Sequence, residues 1–177
     1  LGSDLILCND DTVSLNPIIG GSATGLIWNS SGSGTFIPNN NSIIVDYIPS
    51  SADTLSGNLL ISATTSDTAF CIPKVDTISI TFTSRPLVLS GMNDTVCANN
   101  SSVQLNGAVS GSTLTGLWSS SGNGSFLPND TVLNAIYLPG SIDSIAGNSV
   151  LTLTSTNACS VQDSLTVIIT TAPVVNA

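Results

Sequence analysis

The chain has 177 residues, of which 41% are hydrophobic and only 7% are charged. Eleven aspartates stand against two basic residues, and with no histidine the formal net charge is −9. This balance excludes a surface that tracks nucleic-acid phosphates or an anionic membrane, because both need clustered Lys or Arg. The length fits one or two domains, and no stretch approaches the 18 consecutive apolar residues of a membrane span.

The sequence states one pattern twice. Aromatic, glycine-rich and turn residues recur 90 positions apart, and the recurring pairs are Trp28 and Trp118, Gly32–Phe36 and Gly122–Phe126, Tyr47 and Tyr137, and Asp53 and Asp143. A repeat of this length is one small folding unit. We therefore predict a first repeat at 1–86 and a second at 87–173, with 174–177 as the start of a following repeat or a donated strand.

Short runs of alternating polarity predict about seven strands in each repeat. In the second repeat, six of them are 103–106, 115–118, 125–127, 133–138, 149–155 and 164–170. Turn residues separate the runs, and a lone Trp118 on the third strand would pack across to the last two. The pattern predicts an all-β fold of two tandem immunoglobulin-like β-sandwich modules in an elongated array. All acidic residues are Asp, which favours turns and caps, so we expect no helices.

Four cysteines stand at matching positions, one pair in each repeat. Disulfides explain them better than zinc does, because a zinc site needs closely spaced pairs. We predict the bridges Cys8–Cys71 and Cys97–Cys159, each closing a loop of about 60 residues and contributing roughly 4 kcal/mol. Bridges between repeats and free buried thiols are the alternatives. Disulfides place the chain outside the cytoplasm.

The residues at the repeat boundary also return. Arg85-Pro86 corresponds to Ala172-Pro173, and a short apolar run follows each. The chain is then either a segment of a longer array, or residues 173–177 complete the first repeat of the next subunit by strand addition, giving a head-to-tail filament. The expected partners are neighbouring repeats of the same chain or identical subunits in a filament.

Eight of the eleven aspartates precede a Ser or Thr that is followed by an aliphatic residue. Chance predicts about one or two such matches for this composition. One explanation is structural, since a turn Asp at the entry to a strand is naturally followed by a β-prone residue. The hydroxyl residues in the motif are Thr12, Thr54, Thr68, Thr77, Thr95, Thr131, Ser144 and Ser164.

This motif resembles the O-glycosylation sequon of Bacteroidota, in which the hydroxyl after Asp carries the glycan. The runs 93–111, 116–130 and 137–159 look like the cysteine-paired Ig-like or PKD-like repeats of large Bacteroidota cell-surface adhesins and gliding-associated proteins, which the type IX system typically exports. The resemblance implies O-glycans at the eight hydroxyls, a place on the cell surface, and a role as a stalk, adhesin or filament component. It implies no catalytic residue.

Catalysis needs groups that exchange protons near neutral pH, and a chain without His or Glu offers few. We therefore predict no enzyme and no cofactor, although Asn9-Asp10-Asp11, Asn129-Asp130 and Asp94 offer oxygen ligands for calcium. The expected function is that of a structural module of an extracellular bacterial surface filament, stalk or adhesin, without nucleic acid or membrane insertion. The alternative is a module that binds a glycan or a protein through its loops.

The four largest recurring aromatic residues have two interpretations. As core and corner residues they fill the interior of each repeat, and as exposed rings they stack on carbohydrate. We favour the first interpretation for Trp28, Trp118, Tyr47 and Tyr137.

Overall fold

A computed structural model describes residues 1–66 and 68–175. The chain divides into two compact units, Leu1–Ser84 and Arg85–Ala177, which we call module 1 and module 2. Each module has a hydrophobic core of its own, built from two facing sheets. The predicted all-β fold is confirmed. Of the last four residues, Asn176 and Ala177 lie outside the described part of the chain, as does Asp67.

Module 1 is a sandwich of a four-stranded and a three-stranded sheet, in the orders β1-β7-β6-β3 and β2-β5-β4. Its elements are β1 (Leu5–Cys8), β2 (Val13–Leu15), β3 (Gly25–Ser30), β4 (Thr35–Ile37), β5 (Val45–Ile48), α1 (Ser51–Ser56), β6 (Asn58–Ser66) and β7 (Val75–Thr83). The first strand runs parallel to the last, with Leu5 opposite Ile80 and Cys8 opposite Thr83. The other ladders of module 1 are antiparallel.

Module 2 repeats this arrangement, with the sheet orders β9-β16-β15-β12 and β10-β14-β13 and an additional β8-β11 ladder. Its elements are β8 (Leu87–Leu89), β9 (Asp94–Cys97), β10 (Val103–Gln104), β11 (Ala108–Ser110), β12 (Gly116–Ser120), β13 (Ser125–Leu127), β14 (Ile136–Leu138), α2 (Ser141–Ala146), β15 (Asn148–Ser155) and β16 (Gln162–Thr170). In the additional ladder Val88 lies opposite Val109, and both side chains are buried. The sequence analysis did not predict β8, β9 or β11.

The recurring aromatic residues fill the two cores. Trp28 and Trp118 are at most 2% exposed, and Tyr47 and Tyr137 are fully buried. The indole of Trp28 donates a hydrogen bond to the carbonyl of Ser42 at 2.8 Å, so its polar edge is satisfied inside the module. Their interpretation as core residues is confirmed, because a ring without an exposed face cannot stack on carbohydrate.

Two short helices correct the expectation of an all-strand chain. The third residue of each helix is an Asp, Asp53 in α1 and Asp143 in α2, and it accepts a hydrogen bond from the backbone amide of the residue before the helix. In α1 the side chain of Ser50 also caps the helix by accepting the amide of Asp53. Gly57 and Gly147 end the helices in the left-handed conformation. The Asp bias therefore did not exclude helices, since a carboxylate in the first turn favours one. Within the described residues, neither helix is long and apolar enough to cross a membrane.

Candidate functional site

A buried carboxylate lies at the centre of the polar contacts in module 1. Asp53, only 4% exposed, projects from α1 towards the glycine-rich turn between β3 and β4. Its Oδ1 accepts a hydrogen bond from the amide of Ser33 at 2.8 Å, and its Oδ2 accepts from the Tyr47 hydroxyl at 2.8 Å, the Ser50 amide at 2.9 Å and the Gly34 amide at 3.0 Å. The carboxylate thus ties a turn, a strand and a helix together.

These contacts shift the titration of both acidic groups away from neutral pH. Burial raises the pKa of the Asp53 carboxyl, but hydrogen bonds from the Ser33 and Ser50 amides and from Tyr47 lower it by more, so the pKa falls to about 2. Burial, together with the neighbouring Asp53, raises the pKa of Tyr47 above its usual 10. The pair therefore holds a fixed negative charge at neutral pH.

Module 2 carries the same pair in different surroundings. The Tyr137 hydroxyl donates to Oδ2 of Asp143 at 2.8 Å, and the Gly140 amide donates to the same oxygen at 2.7 Å. Asn123 stands where module 1 has Ser33, and its side-chain oxygen accepts the amide of Ile142 at 3.0 Å. The other oxygen of the Asp143 carboxylate, Oδ1, is buried without a hydrogen-bond partner. We refer to the two pairs as the Tyr-Asp clusters.

The sequence analysis aligned these residues but did not predict that they meet. The available signal was the spacing Tyr-x5-Asp, which occurs at Tyr47 and Asp53 and again at Tyr137 and Asp143, each time downstream of a Gly-x-Gly turn. A Tyr hydroxyl that recurs beside an Asp at fixed spacing indicates a buried hydrogen bond, because a buried phenol needs a partner.

The hydroxyls of the Asp-Ser/Thr motif are distributed over both modules. Thr54 and Thr68 are partly buried, and the Asp that precedes Thr68 lies outside the described residues. Six are exposed: Thr12, Thr77, Thr95, Thr131, Ser144 and Ser164. These six are accessible to a modifying enzyme on the folded chain.

Several motif aspartates also form local backbone contacts. Asp76 and Asp94 each accept the amide of the following threonine through Oδ1, at 2.9 and 2.7 Å. Asp11 accepts the amide of Cys8 at 3.0 Å through Oδ2. These contacts fit the structural explanation of the motif, in which an Asp stabilises the backbone where a strand begins. Thr77 and Thr95 remain exposed.

The cysteines differ from the predicted pairing. Cys8 and Cys159 are disulfide-bonded, whereas Cys71 and Cys97 carry free thiols, so neither Cys8–Cys71 nor Cys97–Cys159 is formed. In module 1 the reason is the parallel ladder, which places Cys8 beside Thr83 at the end of β7, while Cys71 precedes the start of that strand. A nine-residue strand spans about 26 Å, whereas bridged Cα atoms lie about 4.4–6.8 Å apart.

Module 2 has the same separation. Cys97 pairs with Thr170 at the end of β16, and Cys159 precedes Gln162 at its start. The two cysteine positions of one module thus lie at opposite ends of a nine-residue strand. The sequence showed that the cysteines correspond between repeats, but it did not show which end of the sandwich each one occupies.

Of the residues considered for calcium, Asn9, Asp10 and Asp130 lie in turns. Ligand atoms of Cys8, Asp10 and Asp11 lie within 4.8 Å of one another, but the Cys8 sulfur is disulfide-bonded and calcium prefers oxygen. In module 2 the side-chain oxygen of Asn129 accepts both the amide and the hydroxyl of Thr131, at 3.0 and 2.6 Å. Calcium binding therefore stays an alternative that rests on the sequence analysis.

Comparisons with known proteins agree with this architecture. No protein-family model and no curated protein matches the chain. Among solved structures, the fibronectin(III)-like modules of Clostridium thermocellum CbhA align over 97% of this chain and 91% of theirs, at 8% identity and a TM-score of 0.54. The Ig1-2 module of the Drosophila receptor protein tyrosine phosphatase DLAR covers 94% of both chains, at 8% identity and a TM-score of 0.35.

At these identities the likeness concerns the fold alone, and only the CbhA modules have a TM-score high enough to support it. That likeness agrees with the two facing sheets found in each module here. The chain consists of two tandem β-sandwich modules of the immunoglobulin-like and fibronectin III-like kind.

Proposed function

We propose that the chain is a non-catalytic structural repeat of an extracellular bacterial surface filament, stalk or adhesin. The observation that carries this proposal is that the duplication preserves the interior. Trp28 and Trp118 occupy the same core position, and in both modules the Tyr-Asp cluster joins the short helix to the strand that precedes it. Preserved interiors are expected of interchangeable structural modules, whereas a reactive site needs specific side chains on an accessible surface.

The chemistry of the buried acidic groups supports a structural role. Asp53 titrates at about pH 2, and the pKa of Tyr47 lies above 10, so neither group exchanges protons efficiently near neutral pH. The carboxylate of Asp53 is already occupied by four donors. It acts as a structural anchor in this arrangement.

Two features support an extracellular place. The disulfide bonds of Cys8 and Cys159 fit an oxidising compartment. The resemblance of the repeats to Bacteroidota surface proteins points to export by the type IX system. On this proposal the neighbours of the chain are further repeats of the same kind, in the same polypeptide or in identical subunits.

O-glycosylation would suit the surface of this chain. Large apolar side chains are exposed, including Ile6 at 64%, Ile44 at 62% and Leu60 at 52%, while charged residues make up only 7% of the sequence. Glycans on the six exposed motif hydroxyls would supply the hydration that charge supplies on other surfaces.

Peptide mapping of the protein from its native host tests the modification at Thr95. We expect a sugar mass on Thr95, and its loss in the variant Asp94→Asn, which removes the acidic residue of the motif but keeps the hydroxyl. Asp46→Asn is the matched control, because Asp46 is exposed but precedes Tyr47 rather than a hydroxyl residue. Unmodified peptides at all six exposed sites would contradict the proposal of glycosylation.

A cavity in module 1 supports neighbouring repeats as partners. It measures about 150 Å³ and is lined by Leu1, Ile18, Ala63, Thr65 and Val75, among others. The β-strand residues among them correspond to the surroundings of β8 in module 2, where Val88 is buried against the sheet. We propose that Pro173–Val175 of a second copy, which corresponds to Pro86–Val88, occupies this cavity as an added strand.

A synthetic peptide with the sequence of residues 171–177 tests strand addition. When it is added to the full chain, we expect slower amide exchange at residues 18–20 of module 1, which line the cavity and correspond to β11, the strand that pairs with β8 in module 2. By correspondence with Val88, Val175 faces inward and Val174 outward. The peptide Val175→Asp should therefore lose the effect while Val174→Asp keeps it. Strand addition would be contradicted if the two variant peptides had the same effect. It would also be contradicted if the unaltered peptide did not slow amide exchange.

A further inference from the structure

The four cysteines occupy two kinds of position. Cys8 and Cys97 end the first strand of the four-stranded sheet in their modules, and we call this the strand position. Cys71 and Cys159 lie in the hairpin between the last two strands, the hairpin position. Cys8, at a strand position, and Cys159, at a hairpin position, are each disulfide-bonded. Both kinds of position are therefore able to form disulfides.

The length of the last strand excludes a bridge within a module, because the two positions lie about 26 Å apart. A cysteine at one position therefore cannot reach the cysteine at the other position of the same module. The free thiols are one of each kind, Cys97 at the strand position of module 2 and Cys71 at the hairpin position of module 1. They form a complementary set for linking one copy of the chain to another.

We propose that the thiol of Cys97 forms a disulfide with the thiol of Cys71 in a second copy of this chain, joining copies head to tail. The inference rests on the proposed function as a structural repeat, and it identifies a second copy of this chain as the covalent partner. Repetition of the bond would give a covalent polymer, since every copy carries both thiols.

The surroundings of the free thiols support this bond. Cys71 is exposed and is flanked by Phe70 and Ile72, which are 106% and 85% exposed. Cys97 is partly exposed, and its sulfur lies 3.9 Å from the carbonyl oxygen of Thr171. The disulfide-bonded residues, in contrast, are buried, with Cys8 at 6% and Cys159 at 1% exposed. Docking of a second copy would cover the apolar side chains beside Cys71.

The bond needs an oxidant, and a small-molecule disulfide such as oxidised glutathione supplies it. The thiolate of Cys97 attacks one glutathione sulfur, forms a mixed disulfide and releases one reduced glutathione. The thiolate of Cys71 from the second copy then attacks the Cys97 sulfur and releases the second reduced glutathione. Two protein thiols lose two electrons and two protons, and one oxidised glutathione becomes two reduced molecules.

Two single variants of the full chain separate the thiols. Cys71→Ser keeps Cys97 as its free thiol, and Cys97→Ser keeps Cys71. The double variant keeps Cys8 and Cys159, which are already disulfide-bonded, and reports any disulfide exchange at these residues. Each protein, and an equimolar mixture of the single variants, is incubated with oxidised glutathione and separated on non-reducing gels, and the linked peptides are sequenced by mass spectrometry.

The expected result is a ladder of oligomers from the unaltered chain, a Cys97–Cys71 dimer from the mixture, and monomers from either single variant alone and from the double variant. Single variants that dimerise with themselves as readily as the mixture would overturn the proposal, because the thiols would then react without complementarity. A mixture that stays monomeric would overturn it as well. Neither outcome would affect the proposed structural function, which the location of the native protein tests separately.

Discussion

Replacing Asp53 with Asn is expected to destabilise module 1 by about 3 kcal/mol, because the amide group turns an NH2 towards donors that now contact a carboxylate. Three backbone amides and the Tyr47 hydroxyl donate to Asp53. An Asn oxygen can accept only part of this set. The turn, the strand and the helix that meet at this residue would lose their common acceptor.

Chemical denaturation combined with amide exchange measures this effect in module 1 separately from module 2. Asp46→Asn is the control, because Asp46 is exposed and accepts one side-chain hydrogen bond, from Ser14 at 2.7 Å. We expect it to change the free energy of unfolding by less than about 0.5 kcal/mol. If the two variants proved equally stable, Asp53 would not anchor the module.

The same carboxylate makes the folding stability of module 1 depend on pH in the acid range. Its pKa is lowered in the folded state from 3.8 to about 2, so its contribution to stability is present above about pH 4 and is lost as the pH falls towards 2. The size of this contribution is about 2 kcal/mol. Unfolding curves recorded between these pH values should show the loss in the unaltered chain and not in Asp53→Asn.

Substitution of Gly34 by Ala should destabilise module 1 by a similar amount, about 3 kcal/mol. A Cβ at this position would lie 2.6 Å from Cζ and 2.7 Å from the hydroxyl oxygen of Tyr47, and closer still to the carbonyl oxygen of Ile48. The backbone carbonyl cannot rotate away as a flexible side chain could. The added methyl group would therefore push Tyr47 away from Asp53.

Gly20→Ala is the matched control for this substitution, since a Cβ at Gly20 meets no atom within 4 Å. Thermal unfolding of both variants gives the comparison, and we expect the melting temperature to fall only for Gly34→Ala. Similar melting temperatures would mean that the turn relaxes around the methyl group and that the close approach to Tyr47 is not a constraint.

The repeat and its main strands could be predicted from the sequence because the buried faces alternate. In β15, for example, the buried Leu151 and Leu153 alternate with less buried residues, and period-two alternation is a local signal. The parallel pairing of β1 with β7 is different, because it joins residues about 75 positions apart. The sequence of neither strand indicates which strand it pairs with. The disulfide prediction was wrong for this reason, since the ladder decides that Cys8 lies far from Cys71.

The Tyr-Asp clusters show a second limit of sequence reasoning. Asp53 and Asp94 stand in the same motif, Asp-Thr-aliphatic, yet Asp53 is buried and Asp94 is exposed. The difference comes from Tyr47 and the glycine turn, which reach Asp53 only after the two sheets pack together. A local motif therefore indicated which hydroxyls follow an Asp, but not which aspartates become part of the core.

The central claim is that this chain is a structural repeat on the outside of the cell. Electron microscopy of intact source cells with a gold-labelled antibody against the purified chain tests the claim most directly. We predict label beyond the cell envelope, along filaments or stalks, without permeabilisation. Label that appears only after permeabilisation, within the cytoplasm, would contradict the account.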